Sequence, residues 1–165
     1  MTRQALDLDC SIACALDVIG EWRTLLVLRN LFHGMRTFEA LHNDLGISTS
    51  VLSARLKTLC DEGILEKRPS PTDGRSHEYR LTEKGLDLYP ILVSLSDWGE
   101  KWKPASKGAR MILTERATGE PVAPVQVMSR SGRPLRPQDV TPVAGPGANA
   151  QFRALLDWRR GAEKA

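Results

Sequence analysis

Four residues in the stretch "GISTSVLSARLKTLCDEGILEKR" (46–68) have types and spacing suited to chemistry on a polyanion: Ser50, Ser53, Ala54 and Lys57. At about 100° per residue they share one side of a helix, while Leu52, Leu56 and Leu59 share the other. The leucine side belongs in a core. The small, hydroxyl-bearing side ends in a cation and allows close approach, since Ser and Thr bond to base edges or phosphates and Ala54 fits a thymine methyl. At the start of the helix, Ser48 and Thr49 offer N–H groups and the positive end of the helix dipole to a phosphate. An ordinary solvated helix face has the same composition, so the surrounding elements must decide between the two readings.

Other chemistry is poorly supplied. The histidines are His33, His42 and His77, and the sequence has no Gly-rich phosphate loop, no HExxH and no nucleophile–base pair. The chain is therefore not expected to be an enzyme, and no cofactor is expected. Apolar residues make up 41% of the 165, enough for a packed core rather than a disordered chain. There is no run of about 18 apolar residues, and the opening "MTRQALDLDC" lacks the apolar centre of a signal peptide. A cytoplasmic protein with no membrane partner is expected. Its three cysteines, Cys10, Cys14 and Cys60, do not form the framework of a small secreted domain. Charge is uneven: residues 1–102 hold 12 Lys/Arg against 15 Asp/Glu, and residues 103–165 hold 11 against 5. Global basicity thus says nothing about the 46–68 stretch, and local placement must carry the case.

The elements that position this stretch can be read from periodicity. "SIACALDVIG" (11–20) and "EWRTLLVLRNLF" (21–32) read as two helices, the second apolar on several sides and so central. "HGMR" is a turn, and Thr37 is a candidate N-cap for a short helix ending at Gly46. A short helix, a Gly turn and a second helix over 48–61 give a helix-turn-helix. Beyond Gly63, "ILEKRP" and "HEYRLT" read as strands joined at Asp73-Gly74, a hairpin that forms a wing. Lys67, Arg68, Arg75, His77 and Arg80 make this wing cationic, diluted by Glu66, Asp73 and Glu78. A cationic hairpin beside a recognition helix suits the flanking backbone or the minor groove. A long helix over 83–102 follows, with Pro90 as a kink and with Leu92, Leu95, Trp98 and Trp102 supplying more apolar surface than one small domain covers. Large aromatics four residues apart suit an interface between two copies.

Residues 10–102 resemble the HxlR family of bacterial winged helix-turn-helix regulators. The stretches that carry the resemblance are "CSIACALDVIGEWRTLLVLRNLFHGMRTFEALHNDLGIS", "VLSARLKTLCDEGILEKR", "EYRLTEKG" and "WGEKW", in one order and register. The resemblance implies a dimeric DNA-binding transcriptional regulator with its terminal helices at the dimer contact. Two departures stand out. Thr49-Ser50 replace a frequent Pro-Asn pair, which implies a different operator sequence, and Trp22-Arg23 stand in swapped order, which implies a repacked second helix. Cys10 falls at the family's N-terminal cysteine, which senses oxidants or electrophiles in some members, so it is the redox candidate. Cys14 and Cys60 read as small buried hydrophobes.

The last third has a different composition. "ARMILTERATGEPVAPVQVMSRSGRPL" (109–135) reads as β segments around Thr118-Gly119, with the turn layout of a zinc ribbon. Thr118, Met128 and Ser131 stand where thiols would be needed, so a degenerate hairpin without metal is expected, unless the likeness is chance. "DVTPVAGPGANA" reads as a Pro/Gly/Ala linker and "QFRALLDWRR" as a short terminal helix.

The expected fold is mainly α with a β-wing: a winged helix-turn-helix domain plus a C-terminal β-hairpin extension with a short terminal helix. The expected divisions are a DNA-binding and dimerisation domain over 1–103, a zinc-ribbon-like hairpin over 104–138, and the linker and terminal helix over 139–165. The expected function is a transcriptional regulator, a repressor in the simplest case, that binds a palindromic operator on double-stranded DNA as a homodimer and answers a small-molecule effector or a redox signal. Expected DNA-contacting residues are Ser48, Thr49, Ser50, Ser53, Ala54, Lys57, Lys67, Arg68, Arg75 and Arg80, and expected dimer residues are Leu92, Leu95, Trp98 and Trp102. The alternative is a winged-helix module that binds protein without DNA.

Overall fold

The computed structural model describes residues 10–71 and 76–162. The elements run α1 (Ser11–Ile19), α2 (Trp22–Phe32), α3 (Phe38–Leu45), α4 (Thr49–Asp61), β1 (Leu65–Pro69), β2 (His77–Leu81), α5 (Glu83–Leu86), α6 (Tyr89–Trp102) and α7 (Ala150–Ala162). By contact density the chain divides into two compact units, Val18–Val125 and Met1–Asp17 with Gln126–Ala165.

In the first unit α2 is the central helix, packed on α3, α4, α6 and β2. Val27, Leu28 and Leu31 bury its apolar positions beside Leu41 of α3, Leu52, Leu56 and Leu59 of α4, and Ile64 and Leu65 leading into β1. Each helix of the helix-turn-helix starts on a side-chain cap. Thr37 Oγ1 accepts from the Ala40 N–H at 3.2 Å, and Ser48 Oγ accepts from the Val51 N–H at 3.4 Å. The turn between the helices passes through Gly46, whose left-handed φ of 60° ends α3 and whose N–H bonds to the His42 carbonyl.

The wing is a two-stranded antiparallel sheet in which Leu65 pairs with Leu81, Lys67 with Tyr79 and Pro69 with His77. A lone bridge from Thr37 to Glu78, with the Tyr79 N–H on the Arg36 carbonyl at 2.7 Å, ties the start of α3 to β2. Periodicity does not reveal this third strand position, because Thr37 reads as a cap and nothing more.

The helix expected over 83–102 is two helices. α5 starts on Thr82, whose hydroxyl accepts from the Gly85 N–H at 3.2 Å and donates to the Gly63 carbonyl at 2.7 Å. Lys84 Nζ donates to the Glu62 carbonyl at 2.6 Å, so Thr82 and Lys84 together satisfy carbonyls at the end of α4. Gly85 is buried against the backbone of Ile64, where a Cβ would collide with the carbonyl oxygen. Pro90 falls in the first turn of α6, where its missing N–H costs nothing, so the chain restarts there instead of kinking.

The segment after α6 is strapped along it. Glu100 accepts from the Arg110 N–H at 3.2 Å, and Asp97 accepts from the Val125 N–H at 3.3 Å. Between these points a turn at Thr118-Gly119 is closed by a Thr114–Pro121 bridge, with Thr118 Oγ1 donating to the Glu115 carboxylate at 2.8 Å.

In the second unit a similar turn is closed by a Met128–Pro134 bridge, and Ser129 Oγ accepts from the Arg133 N–H at 3.0 Å. The Asn149 side chain accepts from the Phe152 N–H at 2.8 Å in the first turn of α7. Arg153 reaches back to the carbonyls of Ala148, Gly145 and Pro146, which fastens the Pro/Gly stretch to the helix.

Candidate nucleic-acid interface

α4 separates its two faces as its spacing predicts. Leu52, Leu56 and Leu59 are 0%, 1% and 0% exposed. Ser48, Thr49, Ser50, Ser53, Ala54 and Lys57 are all exposed. Ser48 spends its hydroxyl on the Val51 N–H and also lies 3.1 Å from the Ser50 hydroxyl. That leaves the N–H groups of Thr49 and Ser50 without a partner among the described residues. These are the orphan donors of a helix N-terminus, held at the positive end of its dipole. Lys57 is not idle, because its ammonium meets the Asp61 carboxylate one turn on. An exposed pair of this kind contributes about 0–1 kcal/mol, so a phosphate can compete for the cation.

On the far flank of α4, Arg55 shares a shallow depression with Glu21, Arg23, Ser50, Val51 and Ala54. Arg23 is held there by Glu21 at 2.9 Å and lies 4.4 Å above the Trp22 ring. Trp22 itself is 56% exposed. The Trp22 indole is thus turned outward with the Arg23 cation beside it. The sequence reading missed Arg55, although its place one turn after Val51 puts it beside the small face.

The wing holds its charges differently. Period-two alternation sets Glu66, Arg68, Glu78 and Arg80 on one face. There Arg68 meets Glu66 at 2.7 Å and Arg80 meets Glu78 at 3.0 Å. The Arg80 Nε is buried without a partner among the described residues. Two cations and two anions make this face neutral. Lys67 is exposed on the other face and makes no ion pair among the described residues. Arg75 lies outside the described residues.

Where α4 meets the wing, burial pushes the Cys60 thiol above its ordinary range, Asp61 adds to the shift, and the Lys67 ammonium opposes it. Burial likewise raises Tyr79, with Cys60 contributing second. Cys60 packs against the core as a partly buried side chain. Cys14, expected to be buried, is exposed, and Cys10 is half-buried; both are free thiols. Cys14 lies outward because α1 is exposed over most of its length and buries only Ile19.

Of the expected dimer residues, Leu92 packs against the core, whereas Leu95, Trp98 and Trp102 are 50%, 59% and 60% exposed. Among the described residues no helix is long and apolar enough to cross a membrane.

A capped helix pair joined by a left-handed glycine turn and followed by a two-stranded wing defines a winged helix-turn-helix protein. The chain belongs to the HxlR-like helix-turn-helix family, which matches residues 18–107. It is 38% identical over 142 residues to an uncharacterized HTH-type transcriptional regulator of Mycobacterium tuberculosis, Rv3095, a match covering 86% of this chain and 90% of the relative. A match of that length in this chain runs past residue 107 into the C-terminal third. Two solved structures of candidate transcription factors share the fold. PA1607 is 36% identical with a TM-score of 0.77, over 84% of this chain and 96% of its own. PA1374 of Pseudomonas aeruginosa is 32% identical with a TM-score of 0.60, over 88% of this chain and 99% of its own. The family is one of transcriptional regulators.

Proposed function

We propose that the protein regulates transcription by binding a palindromic operator on double-stranded DNA as a homodimer, with α4 in the major groove. The observation that carries this reading is the exposed face of α4. It is small from Ser50 to Ala54, begins with two N–H groups that have no partner among the described residues, and is backed by three buried leucines. In the groove, Thr49, Ser50, Ser53 and Ala54 face base edges, while the helix N-terminus, Lys57 and Arg55 take phosphates. Lys67 and Arg75 of the wing hold the flanking backbone. Arg68 and Arg80 serve chiefly to order the wing, because each already has a carboxylate.

Trp98, Trp102 and Leu95 on α6 supply the contact between copies, since large exposed aromatics on one helix are costly to leave in water. A twofold axis there sets two recognition helices about 34–36 Å apart, one turn of DNA.

The test is a gel shift with the DNA upstream of the gene, repeated as salt rises. Retardation at low salt that fades steeply with salt supports the reading. No retarded band at low salt defeats it and leaves the protein-binding alternative. Sizing of the free protein tests the dimer, and Trp98→Ala with Trp102→Ala should shift it to monomer.

A further inference from the structure

Away from the interface, the Val18–Val125 unit holds an apolar cavity of about 510 Å³ between α2, α6 and the strap that follows α6. Trp22, Phe32, Tyr89, Met111 and Leu113 are among its walls, and Phe32 and Tyr89 lie with ring centroids 5.0 Å apart. The one guanidinium in this lining is that of Arg29. Its Nε and Nη2 donate to the Asn30 side-chain oxygen at 2.9 and 2.7 Å, and Nη2 reaches the Asp44 carboxylate at 3.2 Å. Asn30, only 1% exposed, donates to the same Asp44 carboxylate at 2.6 Å. Nη1 of Arg29 has no partner among the described residues.

Arg29 therefore faces two ways. On one side is an apolar chamber of the size that takes small organic ligands. On the other is Asp44, two residues before the glycine turn that aims α4. We propose that the cavity is an effector site for a small aromatic carboxylate, and that Arg29 exchanges Asp44 for the ligand's carboxylate and so passes its arrival to the helix-turn-helix. An aromatic body matches the Trp22, Phe32 and Tyr89 walls, and a planar carboxylate matches the guanidinium fork. The exchange costs the buried Asn30 oxygen its two donors, and a buried acceptor left bare drives local rearrangement. The end of α3 is where that rearrangement falls. The proposal rests on the DNA-binding reading only for its consequence, not for the site.

The experiment uses 2-naphthoate as probe and 2-naphthamide as its neutral counterpart, titrated calorimetrically into the full-length protein without DNA. The acid should bind more tightly than the amide. Arg29→Gln should weaken the acid about tenfold and leave the amide unchanged, the loss of one charge-assisted hydrogen bond. The unchanged amide also reports that the variant is folded. Asp44→Asn, which removes the competitor, should tighten acid binding about two- to fivefold, and a purely structural ion pair would not do this. Leu26→Trp, which fills the chamber, should abolish uptake of both. The proposal is overturned if neither compound binds, as when side chains of a second copy occupy the chamber, or if acid and amide bind alike and Arg29→Gln changes neither. Operator affinity with and without the acid is then compared. Binding of the acid without any change in operator affinity overturns the coupling while leaving the DNA-binding reading intact.

Discussion

The proposed recognition helix and the wing hold their polar groups in opposite ways. α4 leaves Thr49, Ser50 and Ser53 exposed; Ser48 caps it and lies beside the Ser50 hydroxyl, Thr58 donates to the Ala54 carbonyl, and Lys57 meets Asp61. The wing commits two of its arginines: Arg68 to Glu66 and Arg80 to Glu78, the latter carboxylate with only 14% of its side chain exposed. A count of cations treats the wing as the stronger partner for phosphate. Pairing reverses this, because a face with two positive and two negative groups has little net field beyond a Debye length. On the DNA-binding reading proposed above, sequence specificity and most of the affinity belong to α4, with Lys67 and Arg75 as the wing's contribution.

The sharpest way to break this comparison is to put an anion on the helix face. Ser53→Glu should lower operator affinity about a hundredfold or more, since like charges facing across an interface cost several kcal/mol. Its thermal melt should match the parent, because Ser53 is exposed. An affinity within threefold of the parent, measured by anisotropy, would sink the placement of α4.

On the wing the expected effects are smaller and differ by residue. Lys67→Ala should weaken binding to all sequences alike and reduce the slope of log K against log salt by about 0.9, the share of one phosphate contact. Arg68→Ala should change affinity about threefold at most and leave the slope nearly unaltered, because its carboxylate partner screens it. Glu66→Gln then becomes the informative variant. Freeing Arg68 should tighten nonspecific binding and raise the slope. A large loss in Arg68→Ala with no gain in Glu66→Gln would show that the arginine leaves its carboxylate for DNA and that the contrast between wing and helix is wrong.

Much of this was legible in the sequence, for reasons tied to local chemistry. The cap at Thr37, the glycine turn at 46 and the leucine stripe of α4 depend on residues within a few positions of one another, whereas Ser48, read as the first residue of the helix, is its cap. Periodicity and turn rules reach that far. What escaped depends on contacts across the chain. The ion pairs at Glu66 and Glu78 need the strand alternation and rotamers, which a list of charges does not contain. The break between α5 and α6 follows from Thr82, Lys84 and Gly85 docking onto the end of α4. The Arg29–Asn30–Asp44 link joins residues 14 and 15 positions apart that carry no joint motif.

The subtlest expected effect lies where the two regions join. Cys60 ends α4 against the wing, its thiol raised from an ordinary value of 9.0 first by burial and then by Asp61, with Lys67 opposing. A raised thiol pKa means that the fold prefers the neutral form. The stabilisation is complete below the unfolded value and is lost as pH rises through the folded one. Urea melts of the parent should thus lose stability from about pH 9 upward relative to Cys60→Ala, and Tyr79, also raised by burial, extends the loss to higher pH. Near pH 8, in a Cys10→Ser, Cys14→Ser background, iodoacetamide should label Cys60 more slowly than free cysteine, and more slowly still in Lys67→Ala. If Lys67 turns to a phosphate on binding, operator DNA should slow labelling of the parent toward the Lys67→Ala rate and leave that variant unchanged. Equal slowing in both would mean that DNA merely covers the thiol, and Lys67 would lose its place as the wing's contact.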